Sequence, residues 1–176
     1  NGAGHQPLQT VVRHQNLECR RRRPARAGDV PAQFRRRQIR LARQFADHSI
    51  TRRYLAVCAG HPNPPAGTIA GRLGRSDRDR KKMAVLPDDT SRGKHAVTHY
   101  ETLRALTHAS LIECRLETGR THQVRVHCAS IGHALLGDPV YGRTPKALRP
   151  LLEELGFAHQ ALHAARLGFR HPISGE

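Results

Sequence analysis

Residues 110–117 alternate, with Ile112, Cys114 and Leu116 on one face and Leu111, Glu113 and Arg115 on the other. That period of two is the pattern of a strand with one buried and one wetter face. Thr118-Gly119 breaks it, and from Thr121, a candidate N-cap, the residues Val124, His127 or Cys128, and Ile131 recur at helical spacing to about Ser130. A half-buried strand implies an antiparallel sheet, and the strand-to-helix junction fixes the position of Arg120.

The rest of the chain fits around this unit. Arg53-Tyr54-Leu55-Ala56-Val57 has strand composition, residues 96–103 alternate, and Ala165, Leu167 and Phe169 mark a last strand. Leu41, Phe45 and, one turn later, His48 and Ser49 end an amphipathic helix ahead of the first strand. Residues 60–67, with three prolines, read as a turn; the polar residues 72–82 read as a loop or hairpin tip; Gly137-Asp138-Pro139 reads as a turn. Leu148, Leu151, Leu152 and Leu155 predict a helix over 146–155 that Gly156 stops. Helices and strands interleave without a strand–helix repeat, so the class is α+β.

Charge narrows the partner. Thirty Lys+Arg against fourteen Asp+Glu give +16, and a polyanion is the expected ligand because each neutralised phosphate releases a condensed counterion. Half of that charge lies in residues 1–40, where ten Arg face only Glu18 and Asp29. Residues 1–38 carry the arginine runs 20–23 and 35–37, with Pro24 and Pro31 between them and no apolar periodicity, so this segment is expected to be disordered. A folded domain is expected over 39–176.

Other classes are disfavoured. No stretch approaches the roughly 18 apolar residues of a membrane span, and no secretory signal opens the chain, so a soluble cytoplasmic monomer is expected. Cys19, Cys58, Cys114 and Cys128 are widely and irregularly spaced, which suits reduced, structural thiols. His122, His127, Cys128 and His133, at spacings of five, one and five, match no standard ligand set, and no metal is expected.

Leu116-Glu117-Thr118-Gly119-Arg120-Thr121-His122-Gln123-Val124-Arg125-Val126-His127, followed by Ile131-Gly132-His133 and Leu136-Gly137-Asp138-Pro139-Val140-Tyr141-Gly142, resembles the most characteristic stretch of the RluA-type RNA pseudouridine synthases. Arg52-Arg53-Tyr54-Leu55-Ala56-Val57, Asp79-Arg80-Lys81-Lys82-Met83-Ala84-Val85, Gly93-Lys94-His95-Ala96-Val97-Thr98 and Gln160-Ala161-Leu162-His163-Ala164 follow the same family order. The resemblance covers about residues 39–176 and implies a partial catalytic domain, truncated at both ends. The implied fold is a mixed, largely antiparallel sheet flanked by helices, with RNA bound across a central cleft.

It also implies a reaction without a cofactor: a uridine of ribosomal or transfer RNA is flipped out, an aspartate helps break the C1′–N1 bond, and the base rejoins through C5. On matching positions, Tyr54 packs on the flipped base and aids proton transfer, Arg120 ion-pairs with the aspartate, and Val124 lines the base pocket. His122, Gln123, Arg125, Arg80, Lys81 and Lys82 are candidate substrate contacts. Without the resemblance, Tyr54 would read as a cross-strand aromatic and the arginines as surface cations. The family's His-Arg-x-Asp-x-x-Thr-Ser-Gly motif, expected near Arg22, is absent. Asp29 is the only Asp upstream of Asp47 and the weak candidate. An arginine run is also what an apolar Val/Ala strand becomes when its codons are translated out of frame, and that is the second reading of 1–38. The functional alternative is a non-catalytic, basic RNA-binding remnant of the family.

Overall fold

Six strands form one antiparallel sheet in the order β3-β2-β4-β5-β1-β6. The computed structural model describes residues 32–47 and 49–174. The elements are α1 (Ala32–Ala46), β1 (Thr51–Ala59), β2 (Ala66–Arg75), β3 (Met83–Leu86), β4 (Lys94–Leu106), β5 (Ala109–Leu116), α2 (Gln123–Ser130), a 3-10 turn (Lys146–Leu148), α3 (Arg149–Glu154) and β6 (Leu162–Gly168). The α+β class and the antiparallel sheet agree with the sequence.

One face of the sheet makes the core. Ile112, Cys114 and Leu116 of β5 are buried as their alternation requires, with Ala56 and Cys58 of β1, Ile69 of β2 and Tyr100 of β4 beside them. Helix α2 crosses this face, sending Val124 and Cys128 into that cluster and Val126 into a second one with Leu73 and Ala96. Because residues 135–141 wrap its outer side, α2 is buried along Gln123–Cys128 and not only along one stripe. Ile131, expected on that stripe, is exposed. The opposite face is polar: Arg53 pairs with Glu113 at 3.1 Å, and His99 bridges Thr68 (2.8 Å) and Glu117 (2.6 Å).

Several expectations are corrected. Helix α1 begins at Ala32, so residues 32–38 are helical; arginine is a good helix former even where apolar periodicity is weak. Its Gln44 amide exchanges two hydrogen bonds with the backbone of Arg170, and Arg40 donates to Pro172 O. Residues 1–31, with Cys19, the run 20–23 and Asp29, lie outside the described residues, as does His48. Residues 72–75 belong to β2 and not to a loop, since Leu73 is buried and Arg72 turns inward to the carbonyls of Ser91, Arg92 and Gly93. The last strand starts at Leu162, three residues before its expected alternation. The predicted 146–155 helix divides into a 3-10 turn and α3, with Leu151 and Leu155 exposed, while Gly156 at φ 59° stops it as expected.

Core and edge should respond differently to truncation. Ile112→Ala, at a side chain 1% exposed, is expected to cost about 3 kcal/mol. Leu167→Ala, on the open edge strand β6 and 56% exposed, should change stability by no more than about 0.5 kcal/mol. Urea unfolding of the two variants checks this; equal losses would mean that the core does not lie on the α2 face.

Candidate functional site

The strand-to-helix junction is held by one side chain. Gln123, 2% exposed, donates from Nε2 to Val97 O (2.9 Å) and Thr98 Oγ1 (3.0 Å), and its Oε1 accepts from Thr118 Oγ1 (2.8 Å) and Arg120 N (2.9 Å). Both amide donors and the carbonyl are used inside the chain, so Gln123, expected as a substrate contact, instead fastens the turn to β4. The helix cap differs as well. His122, at φ 55°, occupies the N-cap position and Thr121 does not; no side chain among the described residues caps the helix, and the Gln123 side chain accepts from the Arg120 amide one turn back.

Arg120 leaves this turn half-buried, its Nε donating to His95 O at 3.0 Å. Among the described residues it has no carboxylate partner. Arg125 does: Nε and Nη2 reach the two oxygens of Asp138 at 2.8 Å each, and the guanidinium stacks 4.8 Å from the centre of the Tyr141 ring. Burial raises the Asp138 pKa, but the Arg125 bonds and the amides of Val140 and Tyr141 outweigh it and hold the carboxyl below its usual range. The Arg125–Asp138 pair was not read from the sequence, although both residues stood in the quoted motifs; two residues thirteen apart give no local signal of pairing.

Tyr141 draws the remaining candidates together. Its hydroxyl accepts from Met83 N (3.1 Å), which leaves its own proton for His122 Nδ1 at 2.7 Å. Desolvation and the nearby Arg125 lower the His122 pKa, so the ring is suited to accept. Met83 follows Arg80, Lys81 and Lys82 at the tip of the β2–β3 hairpin, where all three are exposed. The structure thus gathers His122, Arg125 and the hairpin tip on the outer side of α2.

Tyr54 lies on the inner side. It is half-buried on β1, on the face of Arg52, Ala56 and Cys58, and packs against the cluster that contains Val124. Opposite it the β1–β6 register shifts: Arg53 pairs with Arg166 but Tyr54 with Ala164. An extra residue of this kind re-aims the side chains beside it. Beneath Tyr54 lie three free, buried thiols, Cys58, Cys114 and Cys128. Burial raises the Cys58 pKa to about 11, and hydrogen bonding to Cys114 together with burial raises that of Cys128, so these two stay protonated and unreactive. No cluster of three His, Cys, Asp or Glu that could hold a metal occurs among the described residues, and no helix there is long and apolar enough to cross a membrane.

This is an α+β protein with Tyr54 packed against the core cluster on one face of an antiparallel sheet and Arg120 on the turn that leads into α2. The family model described as RNA pseudouridylate synthase matches residues 35–130. The ribosomal large subunit pseudouridine synthase D of Zymomonas mobilis subsp. mobilis is 63% identical over 136 residues, covering 77% of this chain and 42% of that protein. An uncharacterized RNA pseudouridine synthase of Chlorobaculum parvum is 44% identical over 147 residues, covering 78% of this chain and 44% of that protein. Among solved structures, human RNA pseudouridylate synthase domain containing 1 superposes with a TM-score of 0.62 at 31% identity, over 77% of this chain and 55% of that one. The chain belongs to the RNA pseudouridylate synthase family, and it spans less than half the length of these bacterial relatives.

His127 gives the fold a pH test. It is fully buried, with Nδ1 bonded to Thr98 Oγ1 at 2.9 Å and Nε2 without a partner among the described residues, and desolvation, then His95, lowers its pKa to about 4. The unfolded chain, with an ordinary value near 6.5, therefore takes up this proton first as pH falls. Stability should be intact above about pH 6.5 and reduced by about 3 kcal/mol at pH 4 through this residue alone. In His127→Asn that part of the loss disappears, so the gap between variant and parent narrows on acidification. Parallel stability-against-pH curves would contradict this.

Proposed function

We propose that this chain forms the Tyr54 and Arg120 side of an RNA pseudouridine synthase site, acting on ribosomal RNA of the large subunit, with transfer RNA as the second substrate class. The observation that carries the reading is the clamped turn. Gln123 ties Thr118 and Arg120 to β4, so Arg120 stands at the rim of the sheet face on which Tyr54 and Val124 meet. The substrate class follows the name of the 63% identical relative and the +16 charge. A cytoplasmic monomer goes with the same reading.

In this site a flipped uridine stacks on Tyr54, whose ring offers an apolar face and whose hydroxyl gives or takes a proton. Val124 lines the base pocket. Arg120, with Nε held by His95 O, has both Nη groups for the oxygens of the catalytic aspartate, and a planar guanidinium keeps such a carboxylate ionised. That ionised aspartate takes part in breaking the C1′–N1 bond, after which the base turns and rejoins through C5. His122 and the exposed Arg80, Lys81 and Lys82 contact the RNA outside the base pocket, where cations add affinity without reading sequence, whereas Arg125, buried and paired with Asp138, holds the scaffold behind them. Gln123 acts as a positioning residue. Asp29 is the weak candidate for the aspartate within this chain, and in-frame genomic reads through the arginine runs test the out-of-frame alternative for that segment.

Tritium release from RNA containing 5-³H-uridine is the direct assay. The purified chain should release tritium, and Arg120→Ala and Tyr54→Phe should each lower the rate at least about a hundredfold, the size expected for loss of a positioned proton-transfer or electrostatic group. A parent chain that binds RNA and releases no tritium would support the non-catalytic alternative.

A further inference from the structure

Arg52 is a buried cation that the proposed reaction does not use. It is 7% exposed, on the same face of β1 as Tyr54 and two residues before it. It stands one residue outside the β1–β5 ladder, whose last pair is Arg53 with Arg115. Among the described residues no backbone hydrogen bond joins β1 to the turn at 117–120, and the Arg52 side chain spans that gap. Nη2 donates to the Glu117 carbonyl at 3.1 Å, and Nη1 lies so close beneath Gly119 that a Cβ there would collide with it. The guanidinium thus touches the residues on either side of Thr118 and stops one residue short of Arg120.

The turn is therefore held from two sides. Gln123 grips Thr118 and the Arg120 amide from the helix, and Thr118 Oγ1 accepts from Val97 N at 3.0 Å. Arg52 grips the flanking residues from β1, and of these contacts it alone reaches the strand that carries Tyr54. The chemistry of this brace is demanding. A planar guanidinium presents two Nη groups in a fixed fork, so one bonds a carbonyl while the other fills the space under a glycine; an ammonium has a single nitrogen. Gly119 has no positive φ, so the glycine is required for the close approach and not for backbone freedom. A buried charge is also a costly way to fill space, since an apolar side chain of similar volume does so without desolvation. Packing alone does not account for an arginine at this position.

We propose that Arg52 is a positioning residue for Arg120: it fixes the turn against β1 and so sets the separation between the Tyr54 ring and the Arg120 guanidinium. The inference rests on the reading of Tyr54 and Arg120 as two parts of one site. Alternate residues of a strand lie about 7 Å apart on one face, so the brace and the base platform share one short stretch of β1. The bond from Arg120 Nε to His95 O orients that guanidinium, while the height of its turn over β1 is left to Arg52. A reaction that holds a flipped base against a carboxylate is sensitive to that height, because a misplacement of about 1 Å can cost about a hundredfold in rate.

The test is a double-mutant cycle of Gly119→Ala and Arg52→Lys on the full chain, read by tritium release from 5-³H-uridine RNA with kcat and KM separated. Gly119→Ala sets a methyl group against Nη1 and should lower kcat by about tenfold to a hundredfold, with KM within about twofold of the parent. Arg52→Lys should lower kcat by about tenfold. The double variant should be no slower than Gly119→Ala alone, because the single lysine nitrogen leaves room for the methyl group. Losses that multiply, or folded variants that lose stability in urea and keep the parental kcat, would overturn the positioning role and leave the proposed function standing. Gly119→Ala, which keeps Arg52, decides the matter if the lysine variant fails to fold. The same cycle read by hydrogen–deuterium exchange over residues 117–121 reports the brace without activity: exchange should quicken in Gly119→Ala and be partly restored in the double variant. A parent chain that releases no tritium would remove the proposed function, and the positioning role with it, whatever the exchange shows.

Discussion

The side-chain amide of Gln123 sits where the sheet, the turn and the helix meet, and it answers to all three. Its two donors serve Val97 and Thr98 of β4, and its carbonyl serves Thr118 and Arg120 of the turn. A buried amide of this kind is stabilising only while every bond is made, since each orphaned partner costs about 1–3 kcal/mol. The position of Arg120, the seat of α2 on the sheet and the packing of Val124 beside Tyr54 all depend on that condition. His127 extends the network one turn along α2, through the same Thr98 hydroxyl. The function proposed for the rim is therefore set by a neutral, fully internal constellation.

The charged groups divide into two kinds. Arg125 is neutralised in place by Asp138, a carboxylate with no exposed side-chain surface, and serves to fix residues 138–141 against α2. Arg52, below Gly119, and Arg120 have no such partner among the described residues, and they belong to one turn. Paired cations hold the scaffold, and unpaired ones give the rim its field. In a chain of charge +16 this distribution concentrates attraction for a polyanion near Tyr54, and it leaves the opposite face, with its Arg53–Glu113 and His99–Glu117 pairs, closer to neutral.

Much of this was legible in the sequence, for local reasons. The alternation over 110–117 gave β5 its buried face because a strand's side chains must alternate, and the Thr118-Gly119 break marked the turn because no regular element carries that pair comfortably. The resemblance carried by residues 116–142 led to the family that the comparisons establish. What stayed hidden was non-local. Nothing near Gln123 signals that its amide will be spent on β4, twenty-five residues earlier in the chain. Nothing near Arg52 signals that Gly119 will close over it, and the pairing of Arg125 with Asp138 emerges only when residues 135–141 fold back along α2. Helix α1 was missed over 32–38 because its charge obscured its propensity.

The central claim is that RNA lies on the α2 side of the sheet, across the Thr118–Arg120 turn and Tyr54. Hydrogen–deuterium exchange of the chain, with and without a single-stranded oligouridylate, tests it most directly. The account predicts slower exchange in peptides spanning 52–57 and 117–125 when RNA is bound, with exchange at 99–102 unchanged. Protection centred on the opposite face, around His99, Glu101 and Glu113, would contradict it.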